Sequence, residues 1–396
     1  MPGVAGCSVL AVQEREQPGE IVVDQPGPRV FRTDLRLADG RTLRYYDRSP
    51  GHDRSALDQR ELASVASASE ARFDPALGEW VVVASHRQSR TFLPADEDCP
   101  LCPTTPTRST EIPAPDYEVV VFDNRFPSLV APAGAPPSPA ASPDDPSPVG
   151  YAVPGWGRCE VVCFTSDHDS SFAALSVAQV ETVLAAWQDR TAELSALPEV
   201  EQVFVFENCG VEIGVTLSHP HGQIYAYPFQ PPRVRRQLDA ARRHRARHGS
   251  CLWCDLVGAE LAERRRIVRE SEHWVALVPF ASRWPFQVQL YPRRHVADLA
   301  TLDEAESRDL AVAYLDVIRR FSRLFSTPAP YIAGWQQAPT GEGRELGHLF
   351  AEVLTVRRAE GKLKYLAGSE SGMGVFVNDV TPERAAARLR EVGSGF

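Results

Sequence analysis

An order of structural signals that occurs twice is the strongest limit on what this 396-residue chain can fold into. The first copy opens on Cys99-Pro100-Leu101-Cys102 and runs through a strand-like segment (Tyr117 to Phe122) and a second strand (Cys159 to Phe164) leading to His168. A helix, a strand at Val203 to Phe206 and His219 at the head of another strand complete it. The second copy opens on Cys251-Leu252-Trp253-Cys254, has strands at His273 to Val278 and Gln287 to Tyr291 before His295, then a helix near 302–325, a strand at Tyr331 to Trp335, and His348 heading Leu349 to Thr355. The two histidines stand 51 residues apart in one copy and 53 in the other. The gap in front of His168 is 25 residues longer, roughly a Pro/Ala/Ser-rich insertion at 131–149 plus a turn, and the insertion's composition cannot bury apolar surface and reads as a flexible surface excursion. Matched order at matched spacing implies a tandem duplication. The expected fold is α+β: two related halves, each an antiparallel sheet crossed by a helix, joined edge to edge into one extended, mainly antiparallel sheet with flanking helices. The boundaries read as an N-terminal extension wrapping the core over 1–69, a first half over 70–232 and a second over 233–396, with one strand-like segment, Thr42 to Tyr46, in the extension.

Local patterns support these elements. Leu175, Val180, Val183, Leu184 and Trp187 fall on one face at helical spacing, and Glu79 to Ala84 reads as a strand ahead of the first CxxC. With 43% hydrophobic and 24% charged residues the composition is that of a globular enzyme. No apolar run reaches the ~18 residues of a membrane span, and Met1 to Leu10 lacks the basic flank and apolar core of a secretory signal, so a cytoplasmic protein without a membrane partner is expected. In that reducing setting eight cysteines are better explained by metal ligation or burial than by disulfides. A net charge of -10 argues against nucleic acid as a partner, and the arginine-rich run Arg233 to Arg247 reads as a solvated helix face.

A CxxC pair offers two thiolates from one turn, and a closed tetrahedral zinc site needs two more ligands. Each copy can supply them as histidines, so the candidate sets are Cys99, Cys102, His168 and His219, and Cys251, Cys254, His295 and His348, two zinc ions per chain. A single CxxC could equally be a pair of buried free thiols, but recurrence in matching copies favours metal. Cys159, Cys163, Cys7 and Cys209 have no matching histidines and read as core or incidental residues.

Catalytic chemistry is expected in the first copy only. Ser218-His219-Pro220-His221-Gly222-Gln223 places a second imidazole two residues after the candidate ligand, and on an extended chain His221 and Gln223 share one face. A neutral imidazole can attack phosphorus and then leave it, splitting one displacement into two through a phospho-histidine. The proline restricts the relation of the two rings, and Gly222 is expected to let a phosphate approach the backbone. In the second copy the nucleophile position is Phe350, so that half reads as catalytically silent. No Walker loop or acidic magnesium cluster accompanies the motif.

The run Phe206-Glu207-Asn208-x-Gly210-x-x-x-Gly214-x-Thr216-x-x-His219-Pro220-His221-Gly222-Gln223 closely resembles the signature of the galactose-1-phosphate uridylyltransferase family of the histidine triad superfamily. Gly78-Glu79-Trp80-Val81 with His86-Arg87, Phe122-Asp123-Asn124-x-Phe126 and Trp284-Pro285-Phe286 extend the resemblance over about Arg72 to Leu389. It implies exchange of UMP between UDP-glucose and galactose 1-phosphate through a uridylyl-histidine at His221, with Arg87, Arg90, Asn124, Phe126, Asn208, Gly214, Thr216 and Gln223 at the uridine and phosphates. It also implies a homodimer in which the partner's segment containing Lys364 and Glu370 faces the hexose. Positions where the best-known members hold iron carry Gln237, Gln336, Phe350 and Glu352 here, so no iron is expected, and the second CxxC resembles the two-zinc branch that includes ADP-glucose phosphorylase. A family glutamine near the hexose is replaced within Met373 to Asn378. The alternative activity is phosphorolysis of ADP-glucose or a dinucleoside polyphosphate.

Overall fold

The structure, a computed structural model, describes residues 20–22, 29–62, 69–89, 94–130 and 150–393. The insertion at 131–149 and Arg90 lie outside the described residues. In chain order the strands are β1 (Glu20–Val22), β2 (Phe31–Arg36), β3 (Thr42–Asp47), β4 (Glu70–Asp74), β5 (Glu79–Val83), β6 (Val119–Asp123), β7 (Tyr151–Pro154), β8 (Arg158–Cys163), β9 (Gln202–Cys209) and β10 (His221–Tyr227). The second half adds β11 (Ile267–Glu270), β12 (Trp274–Leu277), β13 (Phe286–Pro292), β14 (Tyr331–Gln336) and β15 (Phe350–Thr355). The principal helices are α1 (Val177–Ser195), α2 (Pro232–His248), α3 (Leu252–Glu263), α4 (Glu304–Ser322), α5 (Gly368–Met373) and α6 (Pro382–Gly393).

Twelve of these strands form one sheet in the order β1-β2-β3-β6-β8-β10-β9-β14-β15-β13-β12-β11, antiparallel throughout. The block β6-β8-β10-β9 is answered by β14-β15-β13-β12, the same four positions in reverse, so the copies meet at the β9–β14 seam with Phe206 opposite Gly334. Duplicated halves joined edge to edge remove two exposed sheet edges at once. His221 and Phe350 each open the strand next to the seam, β10 and β15, so the repeat places them at corresponding points.

Period-2 alternation assigns the two sheet faces. Val119, Val121, Val162, Val205 and Ile224 face the layer made by α1 and α4, while Val120, Phe122, Val161 and Cys163 face the other way. Ser176 caps α1 through its hydroxyl, and Asp303 with Glu306 forms a capping box on α4. Trp187 of α1, Tyr314 of α4 and Trp335 of β14 meet with ring centroids 5.5 to 6.2 Å apart, locking the two helices over the seam. The opposite face carries two smaller apolar clusters, one per half, and each includes the first cysteine of a CxxC pair, Cys99 or Cys251.

Two expectations change. The N-terminal extension does not merely wrap the core: β2 and β3 continue the main sheet, with Leu43 opposite Phe122 and Tyr46 opposite Val119. β2 carries no strand signal of its own because Phe31–Arg36 reads FRTDLR, three of whose six residues are charged. Arg32 is nonetheless buried, held by Asp34 at 2.6 Å and by Asp189 of α1 at 2.9 Å. The strand expected at Glu79 to Ala84 exists as β5, but it belongs to a separate sheet ordered β5-β4-β7. Arg233 to Arg247 falls within α2, whose Val234, Leu238 and Ala241 are buried. No helix among the described residues is long and apolar enough to cross a membrane.

Candidate active site and metal centres

β10 starts at His221, and its pairing with β8 sets His221 opposite Cys163 and Gln223 opposite Val161. Both side chains therefore emerge on the face away from α1, as the two-residue spacing requires. The Nδ1 of His221 lies 2.7 Å from the carbonyl oxygen of His219. A carbonyl can only accept, so Nδ1 carries the proton and Nε2 the lone pair. One edge of the ring stays open to the cleft, yet the surrounding protein lowers its pKa below the usual histidine value, burial outweighing the carbonyl contact. The imidazole is thus held in the form and orientation a nucleophile needs.

Gly222 has a different role from the one expected. It points away from His221, and a Cβ there would lie 2.8 Å from Phe164 Cζ and 2.9 Å from the Phe206 carbonyl oxygen. Its missing side chain makes room for the core beneath β10, not for a phosphate. Gly214 is the glycine with the open approach, having φ +83° and nothing within 4 Å of the place a Cβ would occupy.

His221 and Gln223 line a cleft of about 580 Å³ together with Arg87, Asn124, Phe126, Asn208, Gly214 and Thr216. The walls are tied to each other: Arg87 Nη1 donates to the Phe126 carbonyl at 2.8 Å, and Asn124 Oδ1 accepts from the Phe126 amide at 2.8 Å. Sequence reasoning missed three further arginines on this cleft, Arg60, Arg108 and Arg125. Arg60 is paired with Asp58 and Glu111, whereas Nη1 of Arg108 is buried without a hydrogen-bond partner among the described residues. No motif marks Arg108; only the folding of the loop after Cys102 turns it toward His221's cleft. Lys364 and Glu370 do not line this cleft of their own chain. They pair with each other at 2.7 Å beside α5, in a region where Tyr365, Leu366, Met373, Val375 and Val377 are exposed.

Both cysteine-histidine sets converge, each with ligand atoms within 4.8 Å of one another. In the first, Cys102 Sγ lies 3.3 Å from His168 Nδ1 and 3.6 Å from His219 Nδ1. In the second, Cys254 Sγ lies 3.6 Å from His295 Nδ1 and 3.7 Å from His348 Nδ1, and the two Nδ1 atoms are 3.2 Å apart. Tetrahedral coordination with metal–nitrogen bonds of about 2.0 Å and metal–sulfur bonds of about 2.3 Å implies edges of roughly 3.3–3.8 Å, so both donor sets fit one ion each. The outer contacts agree: His219 Nε2 meets the Thr165 carbonyl and the Tyr117 hydroxyl, both at 2.8 Å, leaving Nδ1 unprotonated toward the sulfurs. His168 Nε2 sits 3.2 Å from Asp96 Oδ1. Burial first, and the neighbouring Cys102 thiol after it, push the Cys99 thiol up to about 11, so a thiolate pair at that depth requires a cation. Cys251, at the N-terminal cap of α3, is pulled down instead, first by its hydrogen bond with Cys254. Glu352 is occupied by Arg233 at 2.7 and 2.9 Å and by Gln287 at 2.7 Å, and Phe350 stacks on Tyr291.

Glu207, one residue from the cleft-lining Asn208, points to the opposite face and is buried against the seam, where Tyr331 donates to it at 2.8 Å. Burial raises its pKa to about 8, the tyrosine only partly opposing this. The folded state therefore keeps a proton that the unfolded chain loses near its ordinary value of 4.5, so stability falls as pH rises from there toward 8. At pH 7 the cost is about 3 kcal/mol. Glu207→Gln, which keeps the shape and needs no proton, should flatten the dependence of unfolding free energy on pH between these limits; an unchanged slope in denaturant titrations would show that Glu207 is already ionised.

A duplicated sheet with a cleft-facing imidazole in one half, a polar cleft and two cysteine-histidine clusters defines a class of group-transferring enzyme. Profiles of the galactose-1-phosphate uridyl transferase N-terminal and C-terminal domains match residues 58–231 and 237–394. A galactose-1-phosphate uridylyltransferase of Streptomyces lividans is 46% identical over 91% of this chain and 98% of its own, and that of Thermotoga maritima 37% identical over 81% and 98%. A solved uridylyltransferase structure superposes with a TM-score of 0.71 at 33% identity, over 82% of this chain and 98% of its own. The chain belongs to the galactose-1-phosphate uridylyltransferase family. β2 and β3 precede the matched domains.

Proposed function

We propose that the cleft exchanges UMP between UDP-glucose and galactose 1-phosphate in two displacements at His221. Nε2 attacks the α-phosphorus of UDP-glucose, the bond from that phosphorus to the bridging oxygen breaks, and glucose 1-phosphate departs with the electron pair. A phosphate oxygen of galactose 1-phosphate then attacks the uridylyl-histidine, the P–N bond breaks, and UDP-galactose leaves a neutral imidazole ready for the next cycle. The observation that carries this reading is the 2.7 Å contact from His221 Nδ1 to the His219 carbonyl, which leaves the other nitrogen as the nucleophile and supports the positive charge that grows on the ring during attack. Gln223 is suited to donate to a non-bridging oxygen, and Arg87, with Arg90, to balance phosphate charge. Asn124, Phe126, Asn208, Gly214 and Thr216 are assigned to the nucleotide.

In the same reading the enzyme is a cytoplasmic homodimer. The segment carrying Lys364 and Glu370 comes from the partner to the hexose, which accounts for its distance from the cleft of its own chain and for the exposed apolar side chains around it. Incubation with UDP-glucose and galactose 1-phosphate should yield UDP-galactose and glucose 1-phosphate. Turnover restricted to ADP-glucose with inorganic phosphate would replace this reading with phosphorolysis.

Both cysteine-histidine centres are assigned to zinc, since two soft thiolates and two imidazoles at tetrahedral spacing suit a redox-inert ion in a closed site. Their place is structural: no ligand is shared with the reacting group, and His219 anchors the loop that presents His221. Metal analysis of the purified chain should return two zinc ions per chain, and a value of one, or iron in place of zinc, would overturn the assignment.

A further inference from the structure

A second cleft, of about 550 Å³, opens beside the one that holds His221, and the two share Asn124 and Arg125. It lies between the C-terminal half of α1, the β2–β3 hairpin and the loop after β6. Six arginines line it, Arg36, Arg41, Arg44, Arg125, Arg158 and Arg190, in a chain whose net charge is -10. Three of them come from the hairpin that precedes the family domains.

Some of this charge is already satisfied. Arg190 is bound by Glu160 at 2.8 Å and by Glu193, and Arg41 by Asp39 at 2.7 Å and Glu111 at 2.6 Å. The rest is not. Arg36 donates to the Gly40 carbonyl and the Thr42 hydroxyl, Arg158 to the Gly157 carbonyl, and neither pairs with a carboxylate among the described residues. Arg125 lies over the Phe126 ring with its Nε buried and unpartnered among the described residues. Nε and Nη1 of Arg44 are likewise buried without a hydrogen-bond partner, and Nη1 stands 3.7 Å from Glu160 and 3.8 Å from Asp123. Glu160 already accepts from Arg190 through both oxygens, so Arg44 is not needed to neutralise it, and Asp123 Oδ2 accepts from the Thr42 amide. A buried guanidinium N–H without an acceptor is destabilising unless something enters to accept it.

We propose that this second cleft binds a small phosphate-bearing anion, with Arg44 and Arg125 as the inner donors and Arg36 and Arg158 at the rim. Guanidinium groups match the geometry of phosphate oxygens and remain charged at any working pH. The hairpin also grips the residue before Asn124: Arg41 Nη1 donates to the Asp123 carbonyl at 2.9 Å, and the Thr42 amide to its side chain at 2.9 Å. The anion would therefore rest against the same loop that lines the catalytic cleft. The site does not depend on uridylyl transfer.

Calorimetric titration of inorganic phosphate into the full chain tests it, with Arg44→Gln and Arg36→Gln altering the second cleft alone and His221→Ala altering the first alone. Phosphate should bind the unaltered chain, and affinity should fall roughly tenfold in Arg44→Gln, the loss of one charge-assisted hydrogen bond, with a smaller fall in Arg36→Gln and none in His221→Ala. A fall confined to His221→Ala would place the phosphate in the catalytic cleft and overturn the proposal, as would absence of binding to the unaltered chain. If thermal melting shows that Arg44→Gln fails to fold, the solvent-facing Arg36→Gln decides: an affinity equal to that of the unaltered chain overturns the site.

Discussion

His221→Ala should lower UMP exchange by ~10⁴-fold or more, because removal of a covalent nucleophile leaves only substrate binding and electrostatic stabilisation to act on the barrier. The fold should survive. Among the described residues His221 belongs to neither cysteine-histidine cluster, its Nδ1 bonds to the backbone carbonyl two residues back, and its ring borders the open cleft. The informative measurement is a quenched reaction with UDP-glucose labelled in its α-phosphate and no acceptor present. The unaltered enzyme should retain acid-labile label on the protein, and the variant none, with both melting at closely similar temperatures. Persistence of label in the variant would move the nucleophile elsewhere in the cleft and remove the basis for two displacements.

Loss of the first metal centre should act in the opposite way, on the fold before the chemistry. Cys99→Ser or His219→Ala breaks a set of ligands drawn from three separate places in the chain: the loop before β6, the turn after β8 and the entry to β10. Structural zinc sites supply folding free energy on the order of 10 kcal/mol, so either change should lower stability by several kcal/mol. Zinc content should fall from two ions to one. Activity should fall as well, through displacement of the His219 carbonyl that orients His221. A variant that keeps its melting temperature and both ions would show that the centre does not hold the loop. Together the two experiments separate the roles proposed for two histidines that are only two residues apart, one on phosphorus and the other on the architecture beneath it.

The legibility of these features from sequence follows from how local each one is. The His219-Pro220-His221-Gly222-Gln223 run is decided by residues in contact along the chain, so its side-chain faces could be read from strand periodicity. The two CxxC sets could be read because the duplication repeats them, even though they bring together residues 120 apart in one copy and 97 apart in the other. β2 could not, since its charged side chains are tolerated only where Asp189 of α1 stands ready to meet Arg32. Arg108 and Arg44 lie in no motif and acquire meaning only from what surrounds them. The role of Gly222 is likewise invisible in its own motif, because the need for a missing Cβ comes from Phe164, on a segment far away in sequence.

By itself the sequence determined the duplication, the core strands and the crossing helix of each half, and which residues stand as candidate nucleophile and candidate ligands, all of them set by short-range periodicity or by repetition. Only the tertiary structure decided that the N-terminal hairpin extends the sheet, that Glu207 is buried at the seam, and that a second arginine-lined cleft adjoins the catalytic one. These depend on which charged groups find partners across strands and helices. Pairing over long sequence separations changes the cost of burying a charge by more than any local propensity does.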